Sequence, residues 1–285
     1  MRIRRITAAL TAFILALSCL CACGSVGDVP FLTTKSRTTT VVNTVKVTFP
    51  EGYTINQIAA RLQEAGVCGA EEFIEECKKP CEGIDTANPD DRIYLLEGYV
   101  FPDTYEFYFD SSPDSVLKKF TDNYKSKITD EMKEKAEALG YSMDEMLTLA
   151  SIIQKECDKD PAECSNVSSV FHNRLKSPSF PMLQSDVTTF YITRDMGELL
   201  AYDESRDMDA QNEEVKKYIG LYSTYYCKGL PAGPICNPGL KAINAALNPA
   251  QTEYYYFLTD ASGETFYYAS NLSEHRANGK KAGIF

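Results

Sequence analysis

Glu156 is the acidic residue of this chain whose position best suits chemistry. It closes TLASIIQKE, Thr148 to Glu156, a mostly apolar segment. On a helix its side chain shares a face with Leu149, Ile152 and Ile153, so the carboxyl points toward the core or a cleft. Burial disfavours the charged form and raises the pKa, as a proton donor near neutral pH requires. The position indicates a catalytic acid; a last-turn residue that reaches water or pairs with a lysine is the structural alternative.

A capping signal predicts the helix that carries Glu156. Ser142 and Glu145 have the S-x-x-E spacing of a capping box, which satisfies free backbone N–H groups at a helix start. The helix is predicted to run from Met143 to about Cys157. Its polar face is predicted to consist of Asp144, Thr148, Ser151 and Lys155.

Two further segments carry polar side chains suited to a sugar-binding cleft. LEGYVFPDTYEFYF, Leu96 to Phe109, begins with Glu97 and is rich in aromatic rings, which stack on sugars. PMLQSDVTTFY, Pro181 to Tyr191, places Gln184 and Asp186 within a mostly apolar run. Both segments are interpreted as cleft walls, although the aromatic one is equally compatible with a core and a turn.

A stiff loop is predicted in the segment 222–249, which contains Gly229, Pro231, Gly233, Pro234, Pro238 and Gly239. Such residues fix unusual backbone angles, and rigid loops often hold functional side chains. Tyr225 and Asn237 lie in this loop and are therefore candidate cleft residues. A helix is predicted from Gly239 to Leu247, followed by a hairpin that turns at Ala261 to Gly263.

The pattern of elements predicts an α+β fold. From Val45, VKVTF alternates like a strand, and helices follow at INQIAARLQEAGV and at Ala70 to Lys78. A strand, a helix and a return within about forty residues resemble a LysM-like module, here residues 45–85, although many small αβ units share that pattern. Residues 86–285 are predicted to form a mixed helical and β catalytic domain with a cleft. Its scaffold helices are predicted at Pro113–Ile128, Asp130–Leu139 and Ser165–Leu175.

The first residues predict export. Three arginines precede an apolar run, Ile6 to Leu17, which is too short to span a membrane comfortably. LCAC, ending at Cys23, resembles a lipobox, so residues 1–22 are predicted to be a lipoprotein signal peptide and Cys23 to be lipidated. Residues 23–44 are predicted to be a flexible tether, roughly 70 Å long at full stretch. A plain signal peptide or an uncleaved anchor is the alternative, and each keeps the body outside the cytoplasm.

Composition narrows the classes of function. Hydrophobic residues are 44% and charged residues 24% of the chain, as in globular proteins. Loss of the three leader arginines lowers the formal charge from −11 to −14, so nucleic acid is not an expected partner. His172 and His275 are the only histidines and no C-x-x-C pair occurs, so neither a metal site nor a cofactor is expected. Disulfides are expected between Cys157 and Cys164, between Cys227 and Cys236, and between Cys68 and either Cys77 or Cys81.

Eight segments together carry a resemblance to a known family. In order, they are EGYVFPDTY, ASIIQKE, VFHNRL, LQSDVT, YSTYYCKGLPAGPICNPG, AINAALNP, YYFLTDASG and EHRA. The set closely resembles the membrane-attached endolytic murein transglycosylases of the MltG/YceG-like family and spans Phe49 to about Asn278. Such an ordered set is far more specific than any one of its motifs.

The resemblance implies an activity and its residues. The family cuts the β-1,4 bond between N-acetylmuramic acid and N-acetylglucosamine in nascent peptidoglycan, leaving 1,6-anhydromuramoyl ends. Its catalytic glutamate matches Glu156, which would act alone, first as acid and then as base. Substrate contacts are expected among the cleft candidates: Glu97, Gln184, Asp186, Tyr225 and Asn237. The resemblance also suggests association with peptidoglycan synthases.

Four positions depart from the family pattern. Gln154 stands where a first glutamate is common, so a carboxylate there cannot be required for chemistry in this chain. Val187 replaces a usual proline, Ser223 an asparagine and Arg276 an asparagine. A lipobox also appears in place of the family's transmembrane helix, and there is room for only one LysM-like unit. These differences concern the cleft and the anchor, whereas the catalytic glutamate is retained.

Three functions remain in view. The first is a lytic transglycosylase at the outer face of the cell membrane, held there by a lipid. The second is a glycoside hydrolase, which would need water and a second carboxylate roughly 6.5–9.5 Å away if it inverts, with Asp186 or Glu97 as candidates. The third is a lipoprotein that binds glycan without cutting it. The chemical nature of the cleaved ends separates the three.

Overall fold

The computed structural model describes residues 43–157 and 160–284. The predicted signal peptide, the lipidation site Cys23 and nearly all of the tether lie outside these residues. Within the described part of the chain, no helix combines the length and the apolar character needed to cross a membrane. The elements are helices with two small antiparallel sheets, so the α+β class is confirmed.

The amino-terminal unit is a βααβ arrangement. Its elements are β1 (Thr44–Thr48), α1 (Ile55–Glu64), α2 (Ala70–Cys77) and β2 (Thr104–Tyr108). Strands β1 and β2 pair antiparallel, with Thr44 opposite Tyr108. A capping box of Thr54 and Gln57 begins α1, and its apolar face is buried.

The return strand of this unit lies later in the chain than the sequence indicated. It was expected before residue 85, but the partner of β1 is β2, within the aromatic segment predicted as a cleft wall. The alternating side chains of TYEFY bury Phe107 in the core, where its ring lies against those of Phe49 and Phe120. The aromatic residues of this segment therefore serve mainly the fold.

Helix α5 forms the centre of the remaining fold. The scaffold comprises α3 (Pro113–Lys127), α4 (Asp130–Leu139), α5 (Met143–Glu156), α6 (Pro161–Lys176) and α10 (Leu240–Leu247). The predicted capping box of Ser142 and Glu145 begins α5, which ends one residue before the predicted position. Because α4, α6 and α10 all pack on α5, little of its surface is left for solvent.

The predicted polar face of α5 is largely buried. Asp144, Thr148 and Ser151 are each at most 6% exposed. Asp144 pairs with Arg92 at 2.5 Å and also accepts hydrogen bonds from the Tyr99 hydroxyl and from the backbone N–H of Ala87. Buried charge is tolerated there because it is paired and hydrogen-bonded.

The carboxyl-terminal part completes the fold around α5. It contains α7 (Asp186–Phe190), α8 (Gly197–Leu200), α9 (Glu213–Tyr222), the hairpin strands β3 (Tyr256–Thr259) and β4 (Phe266–Ala269), and α11 (Leu272–Lys281). The predicted hairpin is confirmed, with Tyr256 opposite Ala269. The predicted helix after the stiff loop is α10.

Among the described residues, neither the expected Cys227–Cys236 disulfide nor either expected disulfide of Cys68 is present. Cys227 and Cys236 are both thiols, and so are Cys68, Cys77 and Cys81. The Cys236 thiol is fully buried and donates to the carbonyl oxygen of Ser151 at 3.4 Å, so it packs against α5. The expectation of a Cys227–Cys236 bond is therefore wrong in this structure.

Candidate active site

Glu156 is the last residue of α5. The helix before it is enclosed, with Ile152 and Ile153 fully buried, whereas Glu156 itself is half-buried. At Cys157 the backbone becomes extended and the helix stops. The carboxyl group is thus placed where the central helix of the fold emerges from the core.

Ser185 holds this carboxyl directly. Its hydroxyl donates to Glu156 Oε1 at 2.5 Å. Ser185 precedes the short helix α7 and is only 3% exposed, so the donor approaches from the protein side. The hydrogen bond joins the end of α5 to the segment predicted from sequence as a cleft wall.

Arg174 of α6 supplies a fixed positive charge near the same carboxyl. Its Nε donates to the carbonyl oxygen of Tyr255 at 2.7 Å and its Nη1 to that of Leu183. The guanidinium also lies over the Phe180 ring, 5.8 Å from the centroid. These contacts keep the side chain buried and rigid, so its charge acts from one position.

Asp186 and Tyr225 form the exposed side of the site. The Tyr225 hydroxyl donates to Asp186 Oδ1 at 2.7 Å, and the tyrosine is 43% exposed. Partial burial, with the Asp186 hydrogen bond and charge, raises the pKa of Tyr225 to about 12, so the phenol stays protonated and remains a donor. Asp186 therefore has a partner that orients it at the protein surface.

The pKa of Glu156 lies above its ordinary value. Burial is the largest cause, and the nearby charge of Asp186 adds to it. The Ser185 hydrogen bond and the charge of Arg174 act in the opposite direction, since both favour the carboxylate. The negative end of α5 opposes ionisation further. The group is thus suited to giving up a proton and then existing briefly as an anion.

Gln184 has an unusual backbone conformation beside this site. Its φ is +54°, in the left-handed region that non-glycine residues rarely occupy. Its N–H donates to the carbonyl oxygen of Thr224 at 3.0 Å, and its side chain is exposed. This turn directs Ser185 inward and leaves Gln184 and Asp186 outward.

Glu97 and Asn237 lie together elsewhere, in the core. Asn237 Nδ2 donates to Glu97 Oε1 at 2.7 Å, while the backbone N–H of Ile55 at the start of α1 donates to both carboxyl oxygens. The Tyr191 hydroxyl completes the set at 3.3 Å from Oε2. Both side chains are at most 1% exposed, so their polar atoms join α1, the stiff loop and the segment after α7. This placement favours the loop-holding role over direct contact with glycan.

Gln154 makes a backbone contact that a glutamate could also make. Its Oε1 accepts the backbone N–H of Gly239, next to α10, at 3.0 Å. An amide oxygen accepts such a bond as a carboxylate would. The side chain therefore holds the stiff loop against α5, two residues before Glu156.

Sequence reasoning missed Arg174 and the importance of Ser185. Ser185 was visible among the polar residues of PMLQSDVTTFY, but nothing in its spacing connects it with a residue 29 positions earlier. Arg174 lies in the predicted helix of SNVSSVFHNRL, where a last-turn arginine usually reaches solvent. Its burial depends on β3 and on the chain before α7, which a local pattern does not reveal.

Comparisons with known proteins identify the family to which the chain is similar. The model of the YceG-like family matches residues 31–281. The endolytic murein transglycosylase of Bacillus subtilis is 33% identical over 247 residues, covering 81% of this chain and 63% of that protein. Its counterpart in Streptococcus pneumoniae strain D39 is 29% identical over 253 residues, covering 81% and 43%.

A solved structure is also similar. The crystal structure of a YceG-like protein from Listeria monocytogenes superposes with a TM-score of 0.65 at 27% identity, covering 82% of this chain and 75% of that one. The chain spans less than two thirds of the length of either transglycosylase named above. Because the family model covers nearly the whole sequence, this chain belongs to the YceG-like family.

Proposed function

We propose that this chain is an endolytic lytic transglycosylase of peptidoglycan, with Glu156 as its single acid and base. The observation that carries the proposal is the desolvated carboxyl at the end of α5, held by one hydroxyl and flanked by the exposed Asp186–Tyr225 pair. The names of the two transglycosylase relatives supply the substrate class. Glu97 and the residues bonded to it, Asn237, Ile55 and Tyr191, are not needed for the chemistry.

In the first step Glu156 acts as an acid. Its proton passes to the glycosidic oxygen between N-acetylmuramic acid and N-acetylglucosamine as the bond from that oxygen to the muramic C1 breaks. The electron pair leaves with the oxygen, and positive charge develops at C1. A carboxyl whose pKa is raised by burial suits this step, and the fixed charge of Arg174 favours the carboxylate that results.

In the second step the same group acts as a base. The C6 hydroxyl oxygen of the muramic residue bonds to C1, and its proton passes to the Glu156 carboxylate. The products are a 1,6-anhydromuramoyl end and a free N-acetylglucosamine end, and the acid is regenerated. No water is consumed, so a second carboxylate is not required.

Gln184, Asp186 and Tyr225 are proposed as the glycan contacts. All three are exposed beside Glu156, and an exposed tyrosine offers a ring face and a hydroxyl to a sugar. The cleft that they would border is part of this proposal. Glu97 and Asn237 are assigned to holding the loops instead, since their polar atoms are buried and bonded to protein.

Digestion of purified glycan strands tests the proposal. Anhydro ends, lighter by one water than reducing ends, are expected by mass spectrometry. Glu156→Gln should slow their formation by about a hundredfold or more, whereas the exposed control Glu134→Gln should leave it unchanged. Reducing ends would instead support hydrolysis, for which nearby Asp186 is the candidate second carboxylate, and binding without cleavage would support a glycan-binding lipoprotein.

We further propose that the βααβ unit is a LysM-like module that lies along the glycan and that Cys23 carries the lipid anchor. An anchor at the outer face of the cell membrane would deliver the site to nascent strands. Cys23→Ala should prevent incorporation of a labelled fatty acid and release the body from the membrane. Retention of label would refute the anchor. We also expect the chain to associate with peptidoglycan synthases, and cross-linking in cells would test this.

A further inference from the structure

We propose that Ser185 is the positioning residue of Glu156, holding Oε1 so that Oε2 carries the proton that moves in both steps. The inference rests on the proposed function for its catalytic meaning. The contact itself is a property of the structure and can be tested without activity. Nothing in the chemistry of a single-acid mechanism requires a serine, so the assignment comes from geometry.

The contact leaves one carboxyl oxygen available. The Ser185 hydroxyl donates to Oε1 at 2.5 Å, whereas no donor among the described residues is hydrogen-bonded to Oε2. A protonated carboxyl can accept on its carbonyl oxygen while its other oxygen carries the proton. The same Ser185 bond can therefore persist before and after proton transfer, and the carboxyl need not rotate between the acid and base steps.

Ser185 is itself held by two buried threonines. Its backbone N–H donates to Thr224 Oγ1 at 2.9 Å, and its carbonyl oxygen accepts from Thr188 Oγ1 at 2.7 Å. The Thr224 N–H then donates to Thr188 Oγ1 at 3.0 Å. Both threonines are fully buried. This closed set of hydrogen bonds fixes the backbone that presents the serine hydroxyl.

The same hydrogen bonds connect both sides of the site. Thr224 immediately precedes Tyr225, and Ser185 immediately precedes Asp186. Because the two threonines fix both backbones, the exposed Asp186–Tyr225 pair and the part-buried Ser185–Glu156 pair keep a constant relation. Such a supporting set is what a precisely oriented proton donor requires.

In addition to the Ser185 hydroxyl, three charged or titratable groups face Glu156. Arg174 comes from α6, Asp186 from α7 and Tyr225 from the loop after α9. Removal of the Ser185 hydroxyl leaves these groups in place and deletes one hydrogen bond that favours the carboxylate. The pKa of Glu156 should therefore rise in Ser185→Ala.

The first test measures this pKa without using activity. The carboxyl carbon of Glu156 is titrated by carbon NMR in the full chain, with its signal assigned by its loss in Glu156→Gln. Ser185→Ala should titrate at higher pH than wild type, and the exposed control Ser126→Ala should match wild type. An unchanged titration in Ser185→Ala would overturn the proposal even if the chain cuts glycan.

The second test measures cleavage of glycan strands. In Ser185→Ala, kcat should fall about tenfold or more with KM little changed, the size expected for a hydrogen bond to a charged group. Since the acid form must be protonated to act, the alkaline limb of kcat/KM should move to higher pH. Ser185→Thr keeps the hydroxyl and should retain the wild-type profile.

Both variants should first be shown to unfold at the wild-type temperature. If Ser185→Thr and Ser185→Ala then lose equal activity, side-chain size rather than the hydroxyl matters, and the proposal is overturned. Failure of the proposed function gives a different result. In that case wild type makes no anhydro ends, while the NMR titration still responds to Ser185→Ala.

Discussion

Glu97 and Glu156 are both carboxyl groups whose pKa is raised by burial, but their surroundings differ. Glu97 is enclosed and accepts hydrogen bonds from Ile55, Asn237 and Tyr191, which come from three parts of the chain. Glu156 is half-buried, accepts one side-chain bond and borders exposed residues. The comparison teaches that burial alone does not identify a catalytic acid. An oxygen left available beside an accessible surface distinguishes Glu156.

The largest expected difference between the two glutamates is in cleavage. Glu156→Gln should reduce the cleavage rate by about a hundredfold to ten-thousandfold, the usual contribution of a general acid. Glu97→Gln should stay within about tenfold of wild type, since its amide can still accept from Asn237 and donate to Tyr191. Rates of fragment release measure both. Equal losses in the two variants, with both proteins folded, would remove the distinction.

For the pH dependence of the free energy of unfolding, the larger effect is expected at Glu97 rather than at Glu156. Burial raises the pKa of Glu97 from 4.5 to about 8, in spite of the donors around it. Below pH 4.5 the group is protonated in both states; as the pH rises toward 8, the unfolded chain releases the proton and the folded chain retains it. The free energy of unfolding of wild type should therefore fall by a few kcal/mol relative to Glu97→Gln across this range.

Urea unfolding at several pH values measures this difference. Glu156→Gln is measured alongside. The pKa of Glu156 is also raised, so the free energy of unfolding should change with pH in the same direction, but Glu156 lacks the buried donors that surround Glu97. A constant difference between wild type and Glu97→Gln from acid to mildly alkaline pH would contradict the assignment of Glu97.

Gln154 lies two residues before Glu156 and bonds to the stiff loop that contains Asn237. Its substitution should have a smaller effect than substitution of either glutamate. Gln154→Ala leaves the buried N–H of Gly239 without its acceptor and should destabilise the fold by about 1–3 kcal/mol. Gln154→Glu retains an acceptor and should stay close to wild type in both stability and cleavage. Chemical denaturation compares the pair. A gain in cleavage rate in Gln154→Glu would mean that a second carboxylate does contribute.

The smallest predicted effect concerns the exposed edge of the active site. Tyr225→Phe removes the hydrogen bond to Asp186 and should raise KM by about threefold, because exposed contacts of this kind contribute little. Tyr226→Phe, at a neighbouring tyrosine that is 58% exposed, is the matched control. Steady-state kinetics on soluble glycan fragments would detect the difference. Identical KM values for the two variants would argue against a role of the pair in binding.

Local signals in the sequence were sufficient for much of the fold. The capping box at Ser142 predicted the start of α5, and the apolar spacing placed Glu156 on the face shared with Ile152 and Ile153. Long-range partners were not accessible in this way. The buried ion pair of Asp144 could not be predicted because its partner Arg92 lies 52 residues earlier, and the segment of β2 was also compatible with a cleft wall because its pairing with β1 is non-local. Ser185 and Arg174 meet Glu156 only in the folded chain.

Cleavage in water enriched in heavy oxygen tests the central claim most directly. If Glu156 uses the muramic C6 hydroxyl as described, the new ends are anhydro sugars that contain no heavy oxygen, and Glu156→Gln forms them more slowly by about a hundredfold or more. Mass spectrometry of the fragments reads both properties at once. Heavy oxygen at newly formed reducing ends would show that water is the attacking group and would contradict the account.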